Sequence, residues 1–126
     1  MNELIIPKLI HKIVEFTVEG TPISVNHMYH SRGKIRFLCK EGKLYKEKVA
    51  NIVKKLVDKI TLKNVLVEIT FYFGDNRRRD VSNYDKGLLD SMIKIVYDDD
   101  SQIQTLVLNK LIDKENPRVD VKIFEI

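Results

Sequence analysis

The segment over residues 64–73 constrains the fold of this chain more than any other. Apolar residues fill every second position of it, namely Val65, Val67, Ile69, Phe71 and Phe73. A period of two is the spacing of side chains on one face of a β-strand, so this face is expected to lie in the core. The opposite face mixes Leu66 and Tyr72 with polar residues and is expected to be half covered. The chain must therefore build a sheet with at least one packed face.

Two amphipathic helices are predicted, because apolar residues recur at helical spacing over residues 41–60 and again over 82–96. Further strands are predicted at 13–18, 36–38, 103–108 and 119–124, with a polar loop over 19–34. The order β-β-α-β-α-β-β predicts an α/β sandwich of the α+β kind, with a single mixed sheet packed with two helices. Since the 126 residues contain neither repeat nor linker, we expect one domain over residues 1–126.

The charge balance favours a polyanionic partner. The formal net charge is +4 and the pI is about 9.1, and clustered Lys and Arg gain free energy by releasing counterions from phosphates. Cys39 is the single cysteine, which rules out an intrachain disulfide and suits a reducing cytoplasm. Pro7 and nearby charged residues interrupt the first 16 positions, so we expect no membrane span and a cytoplasmic location.

Three arginines, Arg77, Arg78 and Arg79, stand immediately before the second predicted helix. The N-terminal end of a helix already carries partial positive charge, so this cluster costs stability unless an anion binds there. A phosphate backbone is such an anion, because guanidinium groups and free helix N–H groups both bind phosphate oxygens. The arrangement indicates a DNA contact; the alternative is a solvated charge run on a loop.

Three carboxylates, Asp98, Asp99 and Asp100, follow the end of the same predicted helix, where the helix dipole disfavours negative charge. Their repulsion calls for a cation, and hard oxygen ligands suit Mg²⁺. An acidic surface turn is the alternative. Asp80 has two interpretations as well, as a metal ligand or simply as the N-cap of the helix.

The polar face of this predicted helix carries Asn83, Lys86 and Asp90. Lys86 is spaced either for an ion pair with Asp90 or for neutralising charge on a phosphate. Asp85 lies nearer the apolar side, where it would touch a strand, a partner subunit or a metal ion. His27 and His30 lie in the polar loop and are expected to contact DNA or solvent rather than to form a metal pair.

Residues 77–103, with the sequence RRRDVSNYDKGLLDSMIKIVYDDDSQI, resemble the signature of the RusA family of Holliday junction resolvases. That signature has arginines, an aspartate, an asparagine and a lysine at fixed spacing, then a hydrophobic helix and an acidic pair followed by a small residue and Gln. The loop over 20–24 agrees more loosely. The resemblance implies a RusA-like fold and a homodimer that binds four-way DNA junctions. It also implies two symmetric nicks made with Mg²⁺, or Mn²⁺ in its place, by an enzyme that prophages often encode.

By position, the resemblance implies that Asp80, Lys86 and Asp100 are catalytic and that Asp80, Asp99 and Asp100 hold the metal ion. The chain departs from the family at Ser82, where many relatives have a second carboxylate, and Asp85 or Asp98 is the candidate for the missing ligand. We expect the DNA to contact Arg77, Arg78, Arg79, Asn83, Arg32 and Lys34.

A helix over residues 82–96 would be roughly 22 Å long, at about 1.5 Å per residue. It would place Asp80 and Asp100 of one chain at opposite ends, so we expect a two-fold dimer in which Asp80 of one subunit meets the acidic turn of the other. Two alternatives remain: a non-catalytic module that binds branched or duplex DNA, and a nuclease for flaps or other branched DNA.

Overall fold

A computed structural model describes residues 10–126. Its elements, in chain order, are strand β1 (His11–Glu19), helix α1 (Val25–Met28), strands β2 (Tyr29–Arg32) and β3 (Ile35–Leu38), helix α2 (Lys40–Lys54), strand β4 (Val65–Phe73), a first 3₁₀ helix (Val81–Asn83), helix α3 (Lys86–Ser91), a second 3₁₀ helix (Asp100–Gln102) and strands β5 (Ile103–Ile112) and β6 (Arg118–Glu125). None of the helices described in this range is both long and apolar enough to cross a membrane.

Four strands form the main sheet, in the order β1-β6-β4-β5. Strand β6 runs antiparallel to both β1 and β4, whereas β4 and β5 are parallel. The alternating apolar face of β4 is fully buried, as its sequence predicts. Strand β5 lies at the edge, and within residues 10–126 its outer edge pairs with no other strand.

The core joins the inner faces of the central strands to the apolar stripes of two helices. It includes Val67, Ile69 and Phe71 from β4, Val121 and Ile123 from β6, Val49 and Val53 from α2, and Leu88 from α3. Gly42 lets α2 approach α1 closely, because a Cβ atom there would lie 2.4 Å from the carbonyl oxygen of Met28. Any larger residue would push α2 away from the segment that leads into β2.

The predicted mixed α+β class is confirmed, and each predicted strand is present with slightly different bounds. The strand predicted at 36–38, however, does not join the main sheet. It forms β3 and pairs with β2 in a separate two-stranded sheet, because Gly33, at φ 63°, turns the chain back on itself. The predicted polar loop over 19–34 therefore contains α1 and β2.

The second predicted helix is much shorter than residues 82–96. Asp80 caps a 3₁₀ turn, and α3 itself runs only from Lys86 to Ser91. The chain then turns through Lys94, which has a positive φ of 70°, so that Tyr97 is buried and its hydroxyl donates to the carbonyl of Leu89 at 2.7 Å. The first predicted helix also stops early, at Lys54 rather than residue 60. The 22 Å helix on which the predicted separation of Asp80 and Asp100 depended is not formed.

Candidate active site

The arginine segment connects β4 to the first 3₁₀ helix. Asp75 pairs with Arg79 at 2.8 Å and with Arg77 at 3.3 Å, and these guanidinium groups lower the pKa of the Asp75 carboxyl to about 2. The guanidinium of Arg79 also stacks over the ring of Phe73, 4.4 Å from its centroid. Arg78 is exposed and has no ion pair within residues 10–126. Part of the predicted charge repulsion is thus relieved by Asp75, which the sequence analysis missed although it stands i,i+4 to Arg79.

Two grooves border this segment. One, of about 310 Å³, is lined by Thr21, Pro22, His27, Arg77, Arg78, Arg79 and Tyr84. The other, of about 270 Å³, is lined by Phe73, Asp75, Asn76, Arg77, Arg79, Lys110, Leu111 and Ile112. A larger cavity, of about 830 Å³ and lined mainly by residues 56–63, contains none of the predicted site residues. The arginines therefore line concave surfaces on both sides of their loop.

Asp80 is the N-cap of the first 3₁₀ helix. Its Oδ1 atom accepts hydrogen bonds from the backbone N–H of Ser82 at 3.1 Å and from the Ser82 hydroxyl at 2.8 Å. These bonds, with the nearby charge of Lys110, lower the pKa of the Asp80 carboxyl. The residue is exposed, and Oδ2 accepts no hydrogen bond from the described part of the chain. Asp80 is therefore a cap that still presents an ionised oxygen to solvent.

Lys86 begins α3 and is held from two sides. Its Nζ atom donates to Oδ2 of Asp90 at 3.1 Å, and the hydroxyl of Tyr29 donates to the same oxygen at 2.8 Å. The Lys86 ammonium also lies 5.5 Å from the centroid of the Tyr29 ring. The predicted Lys86–Asp90 ion pair is confirmed, while Tyr29, which comes from β2, is a partner that sequence spacing does not reveal.

The acidic turn is a capping motif. Asp99 is the N-cap of the second 3₁₀ helix, and its carboxylate accepts from the backbone N–H of Ser101 at 2.9 Å. The Ser101 side chain, and to a lesser extent this N–H, lower the pKa of Asp99. The prediction that these carboxylates end a helix is wrong, because they begin one. Local hydrogen bonds thus stabilise part of the negative charge for which the sequence predicted a bound cation.

Gln102 fixes this turn in place. Its Oε1 atom accepts from the N–H groups of Asp98 and Asp99 at 2.8 and 3.0 Å, and its Nε2 atom donates to the carbonyls of Thr61 and Lys63 at 2.8 and 2.9 Å. All of the hydrogen-bonding capacity of this amide is directed at the backbone. The turn is thereby attached to the segment that leads into β4.

The remaining predicted residues occupy different places. Asp100 is exposed beside the buried Tyr97, and Asp98 pairs with Lys94 rather than facing the metal candidates. Asp85 is half-buried, and burial raises the pKa of its carboxyl.

The remaining predicted DNA contacts are exposed. Asn83 lies at the end of the first 3₁₀ helix, Arg32 and Lys34 lie at the turn between β2 and β3, and His30 lies in β2. His27 lines the arginine groove, and the Ser24 hydroxyl contacts its Nδ1 atom at 2.8 Å.

The predicted metal ligands are not brought together in one chain. Within residues 10–126, no group of three or more His, Cys, Asp or Glu side chains is arranged to hold a metal ion. Lys110 of β5 donates to the carbonyl of Arg79 at 2.9 Å, so Asp80 lies near the end of that strand, whereas Asp100 immediately precedes its start at Ile103. Ile103 and Lys110 are about 23 Å apart, at about 3.3 Å per residue.

Comparison with known proteins identifies the family. Residues 19–124 match the family described as Endodeoxyribonuclease RusA. The chain is 30% identical over 107 residues to the crossover junction endodeoxyribonuclease of Enterobacteria phage HK97, covering 83% of this chain and 89% of that protein. It is 32% identical over 107 residues to the enzyme of the same name from Escherichia coli K12, covering 82% and 88% respectively. The structure is a mixed α+β fold with an arginine-rich loop beside an exposed carboxylate, and the family match assigns it to the endodeoxyribonucleases. The chain belongs to the RusA endodeoxyribonuclease family.

Proposed function

We propose that this protein is a metal-dependent endodeoxyribonuclease that resolves four-way DNA junctions by paired symmetric nicks. The observation that carries the proposal is the family match over residues 19–124, which includes Asp80, Lys86 and Asp100. The relatives named above are crossover junction endodeoxyribonucleases. We further propose that residues 1–126 act as one domain and that the protein works in the cytoplasm.

The donor chemistry fits Mg²⁺, with Mn²⁺ as a substitute. Asp80 and Asp100 are exposed carboxylates, and hydrogen bonds to Ser82 favour the ionised form of Asp80. Carboxylate oxygens that leave room for water and phosphate are what Mg²⁺ takes in proteins. Asp80, Asp99 and Asp100 are the residues that would hold the ion, which stabilises charge on the phosphate and lowers the pKa of bound water.

The cationic side chains would bind the substrate. Lys86 presents an ammonium that neutralises charge developing on the phosphate, and Asp90 and Tyr29 keep it in place. Arg78 has no ion pair within the described chain and borders the 310 Å³ groove, so it is the arginine that a phosphate would meet first. Arg77 and Arg79, already paired with Asp75, shape the loop as well as contributing charge.

We propose that a second copy of the chain completes each site, and the edge strand β5 is the surface that supports this. Leu106 and Val107 are each 38% exposed, and Leu111 and Ile112 are each 49% exposed. Leu106 and Val107 point to opposite faces of the strand, so apolar surface is exposed on both. An unpaired edge strand that exposes apolar side chains is a template for pairing with another strand.

Antiparallel pairing of two β5 strands about a two-fold axis would place the start of one strand beside the end of the other. The acidic turn before Ile103 of one copy would then face the end of β5 in its partner, where Lys110 contacts the backbone beside Asp80. We therefore still propose the composite site expected from the sequence. Its basis is now the length of β5, rather than the length of a helix, which separates Asp80 from Asp100 within one chain.

A labelled synthetic four-way junction tests the function. With Mg²⁺ we expect paired symmetric nicks in the junction, none in linear duplex or flap controls, and none after EDTA or in the Asp80→Asn variant. Equal cutting of flaps would favour a nuclease for other branched DNA. Tight binding with no cleavage in any metal would contradict the proposal and favour a non-catalytic module.

A further inference from the structure

The hairpin of β2 and β3, residues 29–38, has two faces, and only one of them packs against the core at the base of the hairpin. Cross-strand partners share a face, and the partners are Tyr29 with Leu38, His30 with Phe37, Ser31 with Arg36, and Arg32 with Ile35. Tyr29 and Leu38 are partly buried against the core at the base of the hairpin. We define the outward face as His30, Arg32, Ile35 and Phe37.

The outward face exposes two large apolar side chains beside an imidazole ring. Ile35 is 69% exposed and Phe37 is 41% exposed. The rings of His30 and Phe37 lie edge to face, with centroids 6.1 Å apart. Exposing this much apolar surface at the tip of a two-stranded hairpin is unfavourable in water, so the face fits an apolar partner surface.

Charge restricts the chemistry of that partner. The hairpin contains Arg32, Lys34 and Arg36 and has neither Asp nor Glu over residues 29–38. Apolar and aromatic side chains surrounded by cations are the combination that binds nucleic acid where bases are unstacked, since the rings stack on bases while the cations contact phosphates.

The base of the hairpin contacts the candidate active site through Asp90, which also holds Lys86. Tyr29, the first residue of β2, donates to the Asp90 carboxylate that also holds Lys86. The guanidinium of Arg36 lies 5.3 Å from the centroid of the same Tyr29 ring. DNA bound at Lys86 would therefore pass close to the hairpin.

We propose that the outward face contacts unstacked bases at the branch point of a four-way junction. This inference rests on the proposed function, and it names the part of the substrate that distinguishes a junction from a duplex. Arg32 and Lys34 hold the flanking phosphates, and Ile35 and Phe37 pack against the exposed base faces.

A junction carrying 2-aminopurine at the branch point tests this, with EDTA present so that no strand is cut. We expect the wild-type protein to raise the fluorescence of this base and not that of 2-aminopurine placed in the middle of an arm. The double substitution Ile35→Ser with Phe37→Ser should remove most of the increase at saturating protein. It should also lower the preference for junction over duplex about tenfold. Leu44→Ser, which changes a residue of α2 that is 56% exposed, is the matched control and should behave as wild type.

Four results would overturn the inference. A double variant with a wild-type fluorescence response would show that the outward face does not contact the branch point. A double variant that lost its oligomeric mass would show that a second copy covers this face. If the wild-type protein cuts junctions but gives no branch-point signal, only this inference fails; if it shows no preference for junctions at all, the proposed function fails with it.

Discussion

The hydroxyl of Tyr29 donates a 2.8 Å hydrogen bond to Oδ2 of Asp90. That oxygen also accepts from Nζ of Lys86, so one carboxylate connects the hairpin to the catalytic candidate on α3. Burial and the Asp90 carboxylate raise the pKa of Tyr29 to about 12, so the phenol remains a donor throughout the range in which DNA stays paired. The position of Lys86 thus depends on two residues that need not touch DNA.

Tyr29→Phe should lower the cleavage rate several-fold while leaving junction affinity nearly unchanged, because it removes the hydrogen bond and keeps the ring. The measurement is single-turnover cleavage together with a binding titration in EDTA. In a Lys86→Ala background the same substitution should have no further effect, because Tyr29 acts through Lys86. Additive losses in the double variant would contradict that dependence and indicate a separate structural role.

Ser82→Ala should shift the acidic limb of the pH–rate profile towards higher pH. The Ser82 hydroxyl lowers the pKa of Asp80 by stabilising its ionised form. Without that hydroxyl the pKa rises, and the carboxylate is protonated at a higher pH as the solution is acidified. Rates measured from about pH 3 to 7 test this, because the hydrogen bonds from Ser82 hold the pKa of the Asp80 carboxyl below its ordinary value. Thr17→Val, which removes a hydroxyl that donates to the Asp120 carboxylate outside the candidate site, is the matched control; an unshifted limb in Ser82→Ala would contradict the assignment of Asp80.

Gln102→Ala should destabilise the protein by about 1–3 kcal/mol, because it leaves backbone groups of the acidic turn and of the segment before β4 without partners. Urea unfolding measures the change. Gln104→Ala, at an exposed position whose side chain accepts one hydrogen bond from Asn64, should cost less than about 0.5 kcal/mol. Equal losses in the two variants would show that the four hydrogen bonds of Gln102 contribute little.

Val107→Glu should convert the proposed dimer to a monomer, because it places like charges close together across the two-fold axis of paired β5 strands. Light scattering should show the lower mass, with an unchanged far-ultraviolet spectrum and the loss of Mg²⁺-dependent cleavage. Leu44→Glu introduces the same charge at another exposed apolar position and should leave the mass unchanged. A Val107→Glu protein that keeps the mass of the wild type would place the interface elsewhere.

Periodicity predicted the central strand, the amphipathic part of α2 and the mixed α+β class, since each depends on local spacing of apolar residues. It failed over residues 82–96, where the spacing of apolar residues predicts one continuous helix. The helix instead ends early, because the chain turns at Lys94, which has a positive φ, and buries Tyr97. Tyr29 and Gln102 could not be identified in advance because their partners lie far along the chain. Asp75 was visible as a carboxylate in the same loop as the arginines, but its i,i+4 spacing from Arg79 favours an ion pair only in a helix, and this segment is not helical.

The most direct test of the composite site mixes Asp80→Asn subunits with Asp100→Asn subunits, each inactive alone, and assays a labelled four-way junction with Mg²⁺. If each site takes Asp80 from one chain and Asp100 from the other, the mixed dimer has one site with both carboxylates and should nick one strand. If both carboxylates of a site come from the same chain, neither site in the mixture is intact. An inactive mixture, with subunit exchange verified by differently tagged chains, would contradict the composite site.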